Sequence, residues 1–232
     1  MRLEPEVRWR VEDGKRLAML LWHAGPGYRM ISSGMTGGGL GSREWALNAQ
    51  VPGRYNRMDP VAHLAELSAG LGLAGPGVGL LTAAAVTEYV WRVDAGAQAT
   101  ATVGLRVPTW AAAPDGHADP ELHPIWLDDV AQPRSAWRPG TINVVVAVPV
   151  PLADAAFVNA VITATEAKSQ ALAEAGFPGT GTASDAICVA APADGTPEEF
   201  TGPRSVWGAR IARAVHAAVA AGAQRYPYRA PD

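Results

Sequence analysis

The chain has 232 residues, 48% of them hydrophobic and 18% charged, which suits one domain with a sizeable core. A net charge of −3 gives no basic excess for nucleic-acid binding, and no apolar run reaches the ~18 residues needed to span a bilayer. Cys188 is the lone cysteine, so an intramolecular disulfide and a cysteine-based zinc site within one chain are both excluded, and the acids of MRLEPEVRWRVEDGK argue against a signal peptide and for a cytoplasmic protein.

In chain order, Val7–Val11 and Leu17–Trp22 flank Glu12-Asp13-Gly14-Lys15, a hairpin signal. Tyr28–Ser33 reads as a further strand, running into a glycine-rich stretch from Gly34 to Ser42. Pro60–Leu71 reads as a helix with Asp59 at its N-cap. Val78–Val86 and Ala97–Val107 read as strands. Residues 108–139 carry six prolines and no period, which predicts a long irregular excursion. Thr141–Val148 is a near-continuous β run and therefore a central buried strand. Leu152–Ala175 has the strongest helical pattern, stopped by Gly176. Asp185–Ala191 is a second buried strand, Ser205–Ala223 a second long helix, and 224–232 a tail that frays. The order predicts a single α/β domain over 1–223 with a mixed sheet layered by helices, α+β being the alternative class.

Several clusters combine groups that do chemistry. The glycine-rich stretch offers backbone N–H groups to an anion but fits neither GxGxxG nor the P-loop, since Ser42 stands where the last glycine belongs. Thr141 and Asn143 open the central strand at i, i+2 and so share a face, as a candidate nucleophile and a candidate oxyanion donor. Lys168, one of two lysines among 19 basic residues, falls on the apolar stripe of its helix with Phe157, Ala164 and Ala175, where it must be paired or have a lowered pKa. Glu166 falls on the other side of that helix. Gly179–Asp185 packs three hydroxyls and a carboxylate into one turn. His117, His123, Asp115, Asp119 and Asp128 lack metal-site spacing, so no metal is expected. Trp110, Trp126 and Trp137 either pin the excursion or form a platform for a flat ligand.

Taken in order, Ser32-Ser33 with Gly37-Gly38-Gly39, Asn48-Ala49-Gln50-Val51, Val78–Ala84, Ala101–Leu105, Gly140–Asn143, Glu166-Ala167-Lys168 and Gly179–Ala186 resemble the adenosylcobinamide amidohydrolase family of corrinoid salvage enzymes over residues 15–222. The resemblance implies hydrolysis of a peripheral amide of the corrin, releasing aminopropanol and leaving adenosylcobyric acid. It implies no cofactor, since cobalt arrives within the substrate, and a corrinoid as the partner, with a homo-oligomer left open. It places substrate contacts at Ser32, Ser33, Gly37, Gly38, Gly39, Asn48, Thr82, Thr180 and Thr182. A shorter stretch, Gly140–Leu152 with the helix and turn that follow, is similar to the self-processing aminopeptidases and ornithine acetyltransferases. That likeness implies an α-β-β-α sandwich and a Thr141 nucleophile.

The expected mechanism has Thr141 attacking directly or by positioning water, and Lys168 or Asp185 managing protons. Glu166 is a further acid, while Asn143 and the glycine-rich backbones hold the oxyanion, beside a hollow roomy enough for a macrocycle. Two rivals stand beside it: a non-catalytic corrinoid-binding protein, and an N-terminal-nucleophile hydrolase on another amide, cleaved between Gly140 and Thr141.

Overall fold

The computed structural model describes residues 3–53, 55–120 and 140–226. Strands β1 (Glu6–Glu12), β2 (Lys15–His23), β3 (Tyr28–Ser32), β4 (Gly39–Ser42) and β5 (Trp45–Gln50) precede helix α1 (Pro60–Gly70). Then come β6 (Gly77–Thr82), β7 (Val90–Asp94), β8 (Ala97–Gly104), β9 (Thr141–Ala147), α2 (Asp154–Glu174), β10 (Ala186–Pro192) and α3 (Val206–Ala223). They form two sheets, in the orders β1-β2-β5-β6 and β4-β3-β10-β9-β8-β7.

Each sheet contains one parallel pair, β5/β6 and β9/β10, and the remaining pairs are antiparallel. A parallel pair needs a crossover, and the expected helices supply it: α1 lies between β5 and β6, and α2 between β9 and β10. The β1–β2 turn is tight as read, because Asp13 and Gly14 both take positive φ, 49° and 71°, the geometry that matches strand twist.

The apolar residues sort into three layers. Ala18, Leu20, Trp22, Ala46 and Leu80 of the first sheet meet Met30, Val145, Ala147, Cys188 and Ala190 of the second. The other face of the first sheet, with Met19, Leu21, Leu47 and Ala49, takes Leu67 and Leu71 from α1. The other face of the second sheet, with Ile142, Val144, Val146 and Val189, is covered by α2 and α3. The stack is therefore helix, sheet, sheet, helices. Strands β2 and β9 send alternate residues into two different cores, which is why both read as unbroken apolar runs. Fully burying a side chain such as Phe157, Leu172 or Ile211 contributes about 1.5–3 kcal/mol each, and these anchor the helix layer.

Several details differ from the sequence reading. Strands β4, β5 and β7 were not anticipated. Asp59 stands at the N-cap of α1 without a capping hydrogen bond, because its carboxylate takes Arg57 at 2.7 and 2.9 Å. Ser205 does cap α3, accepting from Gly208 N at 3.0 Å. The stretch 121–139 and the tail beyond 226 lie outside the described residues, and with them Trp126, Trp137, His123 and Asp128.

Candidate active site

The space between the sheets is filled as far as Val145 and Leu80, then opens. Strands β5 and β6 end at Gln50 and Thr82, where β9 begins at Thr141 and β10 at Ala186. At this mouth lies a cleft of about 230 Å³, lined by Val51, Tyr55, Leu81 and Thr82 from the first sheet's side and by Met35, Thr141 and Ser184 from the second's. Sites that bury a drug-sized ligand run to ~300–1,000 Å³. At about 230 Å³ the cleft is smaller than the macrocycle-sized hollow expected from the sequence.

Thr141 is 5% exposed and belongs to the β9 face that points between the sheets, as do Asn143, Val145 and Ala147. Its Oγ1 lies 2.9 Å from Ser184 Oγ, and Ser184 Oγ is also 3.3 Å from the carbonyl oxygen of Gly140. The register explains the meeting. Parallel pairing sets Ala186 opposite Asn143, so two residues back along both strands bring Ser184 beside Thr141. Sequence reasoning placed Ser184 in a hydroxyl-rich turn without singling it out. The available signal was two buried runs, each preceded or opened by a hydroxyl at the same distance.

Lys168 and Asp185 form an ion pair, 8% and 11% exposed at their side chains. The same carboxylate accepts from Ile142 N at 2.8 Å, from Thr182 N at 3.1 Å and from the Thr182 hydroxyl. Four donors occupy both oxygens, so the Asp185 carboxylate serves as a clamp with its acceptor positions filled. What it clamps is the backbone next to Thr141. Gly181 lies against this pair: a Cβ there would fall 2.2 Å from Asp185 Oδ2 and 2.4 Å from Lys168 Nζ.

The other candidates are placed as follows. Asn143 is 2% exposed, and its Nδ2 donates to Asn48 Oδ1 at 2.9 Å and to Leu81 O at 3.0 Å, which leaves no N–H for an oxyanion. Asn48 in turn donates to Thr102 Oγ1 at 2.9 Å, making a neutral ladder between the sheets, with Asn143 Oδ1 buried and without a hydrogen-bond partner among the described residues. Thr82 lines the cleft and accepts from Ala84 N. Ser32 and Ser33 accept from Gly34 N and Ile187 N. Gly37 is required by packing, since a Cβ there would sit 1.9 Å from Gly77 O at a φ of 67°. Gly38 continues that turn, Gly39 opens β4, and Met35, just before the turn, reaches the cleft. Thr180 accepts from Ala111 N, while Thr109 N and O bond Gly181 O and Thr180 N, so the start of the excursion is pinned to the turn that holds Asp185. Glu166 is exposed on α2, away from the buried side that carries Lys168. Cys188 is fully buried, which pushes its thiol up to about 12. Among the described residues no three His, Cys, Asp or Glu side chains gather as a metal-binding group, and no helix is long and apolar enough to cross a membrane.

The chain matches the family model described as "Adenosylcobinamide amidohydrolase" over residues 4–231. Among curated proteins it is similar to an adenosylcobinamide amidohydrolase of Halobacterium salinarum, 36% identical over 138 residues, which cover 59% of this chain and 59% of that protein. It is also similar to one of Methanosarcina mazei, 29% identical over 205 residues, covering 84% of this chain and 90% of that protein.

Proposed function

The chain belongs to the adenosylcobinamide amidohydrolase family, and from that premise we propose that it hydrolyses the aminopropanol amide of adenosylcobinamide at the cleft between its sheets, leaving adenosylcobyric acid. The observation that carries this reading is the Thr141–Ser184 hydroxyl pair, 2.9 Å apart, facing a cleft of side-arm size. The corrin ring rests outside the mouth, and one amide arm enters.

Thr141 Oγ1 attacks the carbonyl carbon, and its proton passes to Ser184 Oγ. Ser184 delivers a proton to the departing nitrogen, the C–N bond breaks, and aminopropanol leaves. Water then enters by the reverse relay and cleaves the Thr141 ester to the free acid. Asp185, itself paired with Lys168, accepts from Ile142 N, so that Thr141 meets the arm at one fixed position. The reaction consumes water alone, and the cobalt travels as part of the substrate.

The test is release of aminopropanol from adenosylcobinamide by the wild-type chain, by Thr141→Ala and by Ser184→Ala. Full turnover in a folded Thr141→Ala variant overturns the assignment. A second reading, in which the bond between Gly140 and Thr141 is itself cleaved, is favoured by one contact: Ser184 Oγ lies within reach of the Gly140 carbonyl oxygen. Intact mass measurement decides it, since a processed chain appears as two fragments.

A further inference from the structure

Away from Thr141, three ionisable side chains from separate stretches of chain meet in a line that ends at the cleft. Glu12 closes β1, His63 lies in the first turn of α1, and Tyr55 sits in the connection between β5 and α1. His63 is 2% exposed. Its Nε2 is 3.3 Å from Glu12 Oε1, its Nδ1 is 3.0 Å from the Tyr55 hydroxyl, and the two rings stack at 5.6 Å and 15°. The line is braced from behind. Arg10 bonds Glu12 at 2.8 and 2.6 Å and reaches Gln50 O, the last carbonyl of β5, at 2.8 Å. The far end, Tyr55, lines the cleft.

Burying such groups costs desolvation, and apolar residues of similar size would fix the loop as firmly. What the polar line adds is a defined proton. A carboxylate only accepts, so in the neutral imidazole the tautomer that turns an N–H toward Glu12 carries its proton on Nε2. Nδ1 is then an acceptor, and the Tyr55 O–H donates into it. The phenol oxygen retains only acceptor capacity.

We propose that Tyr55 is a substrate-binding residue, accepting a hydrogen bond from the amide N–H or the alcohol O–H of the arm, with His63 and Glu12 as positioning residues that fix its proton. This inference rests on the amidohydrolase reading above, and it selects secondary amides carrying a donor near the scissile bond over donor-free ones.

The experiment is a double-mutant cycle read in kcat and KM for aminopropanol release. Tyr55→Phe is expected to raise KM about tenfold with kcat within about twofold, the effect of one lost hydrogen bond. Glu12→Gln raises KM less, since glutamine bonds His63 in either sense, and His63→Leu raises it as much as Tyr55→Phe. In the Tyr55→Phe background neither change alters KM further, because both act through the phenol. An unchanged KM in Tyr55→Phe overturns the proposal, as does a Glu12→Gln effect of equal size with and without the phenol. Should His63→Leu fail to fold, the Glu12→Gln cycle decides alone. Full turnover by Thr141→Ala would overturn the catalytic reading instead, and the two failures are therefore separable.

Discussion

On one side of the opening residues of β9, Asp185 gathers four donors, among them a buried ammonium and a backbone N–H. On the other side, Asn143, Asn48 and Thr102 link the two sheets with neutral groups and leave Asn143 Oδ1 without a partner among the described residues. The charged cluster is saturated and holds the position of a backbone; the neutral ladder is incomplete and holds the spacing of two layers. A buried ion pair is costly unless each lone pair is used, and here the turn from Gly179 to Asp185 is shaped to use them. Amides tolerate a missing bond at smaller cost. Thr141 sits between the two, fixed from the side of the clamp and open toward the cleft.

Four measurements would break or sharpen this contrast. The largest effect should come from the residue between the clusters: Thr141→Ala should lower aminopropanol release by about 10³-fold or more, roughly 4 kcal/mol of barrier, with an unchanged melting temperature. Next is the clamp. Lys168→Met or Asp185→Asn should cost about 3–5 kcal/mol in urea unfolding, because each strands its partner, while the double change Lys168→Met with Asp185→Asn should cost less than the two singles combined. Additive losses would mean that the pair is not coupled. The ladder should be cheaper: Asn143→Leu strands Leu81 O and Asn48 Oδ1 and should cost about 1–3 kcal/mol by the same assay. A loss as large as the clamp's would erase the distinction. The smallest effect concerns Cys188, whose thiol burial raises from 9.0 to about 12. A raised folded value means that its contribution is constant below pH 9 and declines between 9 and 12, as the unfolded thiol ionises first. In the native protein at pH 8, iodoacetamide should leave it unmodified, and alkylation should track unfolding.

Elements with a clear period were legible, and so was the strand that opens with Thr141. Thr141–Val148 and Asp185–Ala191 announced themselves because strands covered on both faces are apolar throughout. β5 hid for a related reason: Asn48, needed for the ladder, interrupts its run in the sequence. β7 was lost because its turn into β8 carries Ala95 and Gly96, with φ of 42° and 98°, in place of an Asp-Gly pair. Lys168 was readable as a lysine needing a partner from its place on an apolar stripe, while its pairing with Asp185 emerges only in the fold. Ser184 and Tyr55 were not readable, because what brings them to the cleft is a strand register and a loop path, neither of which leaves a local pattern.

Gly181 carries a consequence for how this protein tolerates change. Its φ lies in the range any residue adopts, yet a Cβ there would have to push Asp185 Oδ2 and Lys168 Nζ out of their contact. A saturation library at 181 should therefore return glycine alone among active clones, while Ala183, exposed two positions on, should accept most amino acids. Variation along this turn is thereby channelled to its solvent side, and the ammonium–carboxylate contact acts as a filter on which descendants of the sequence survive.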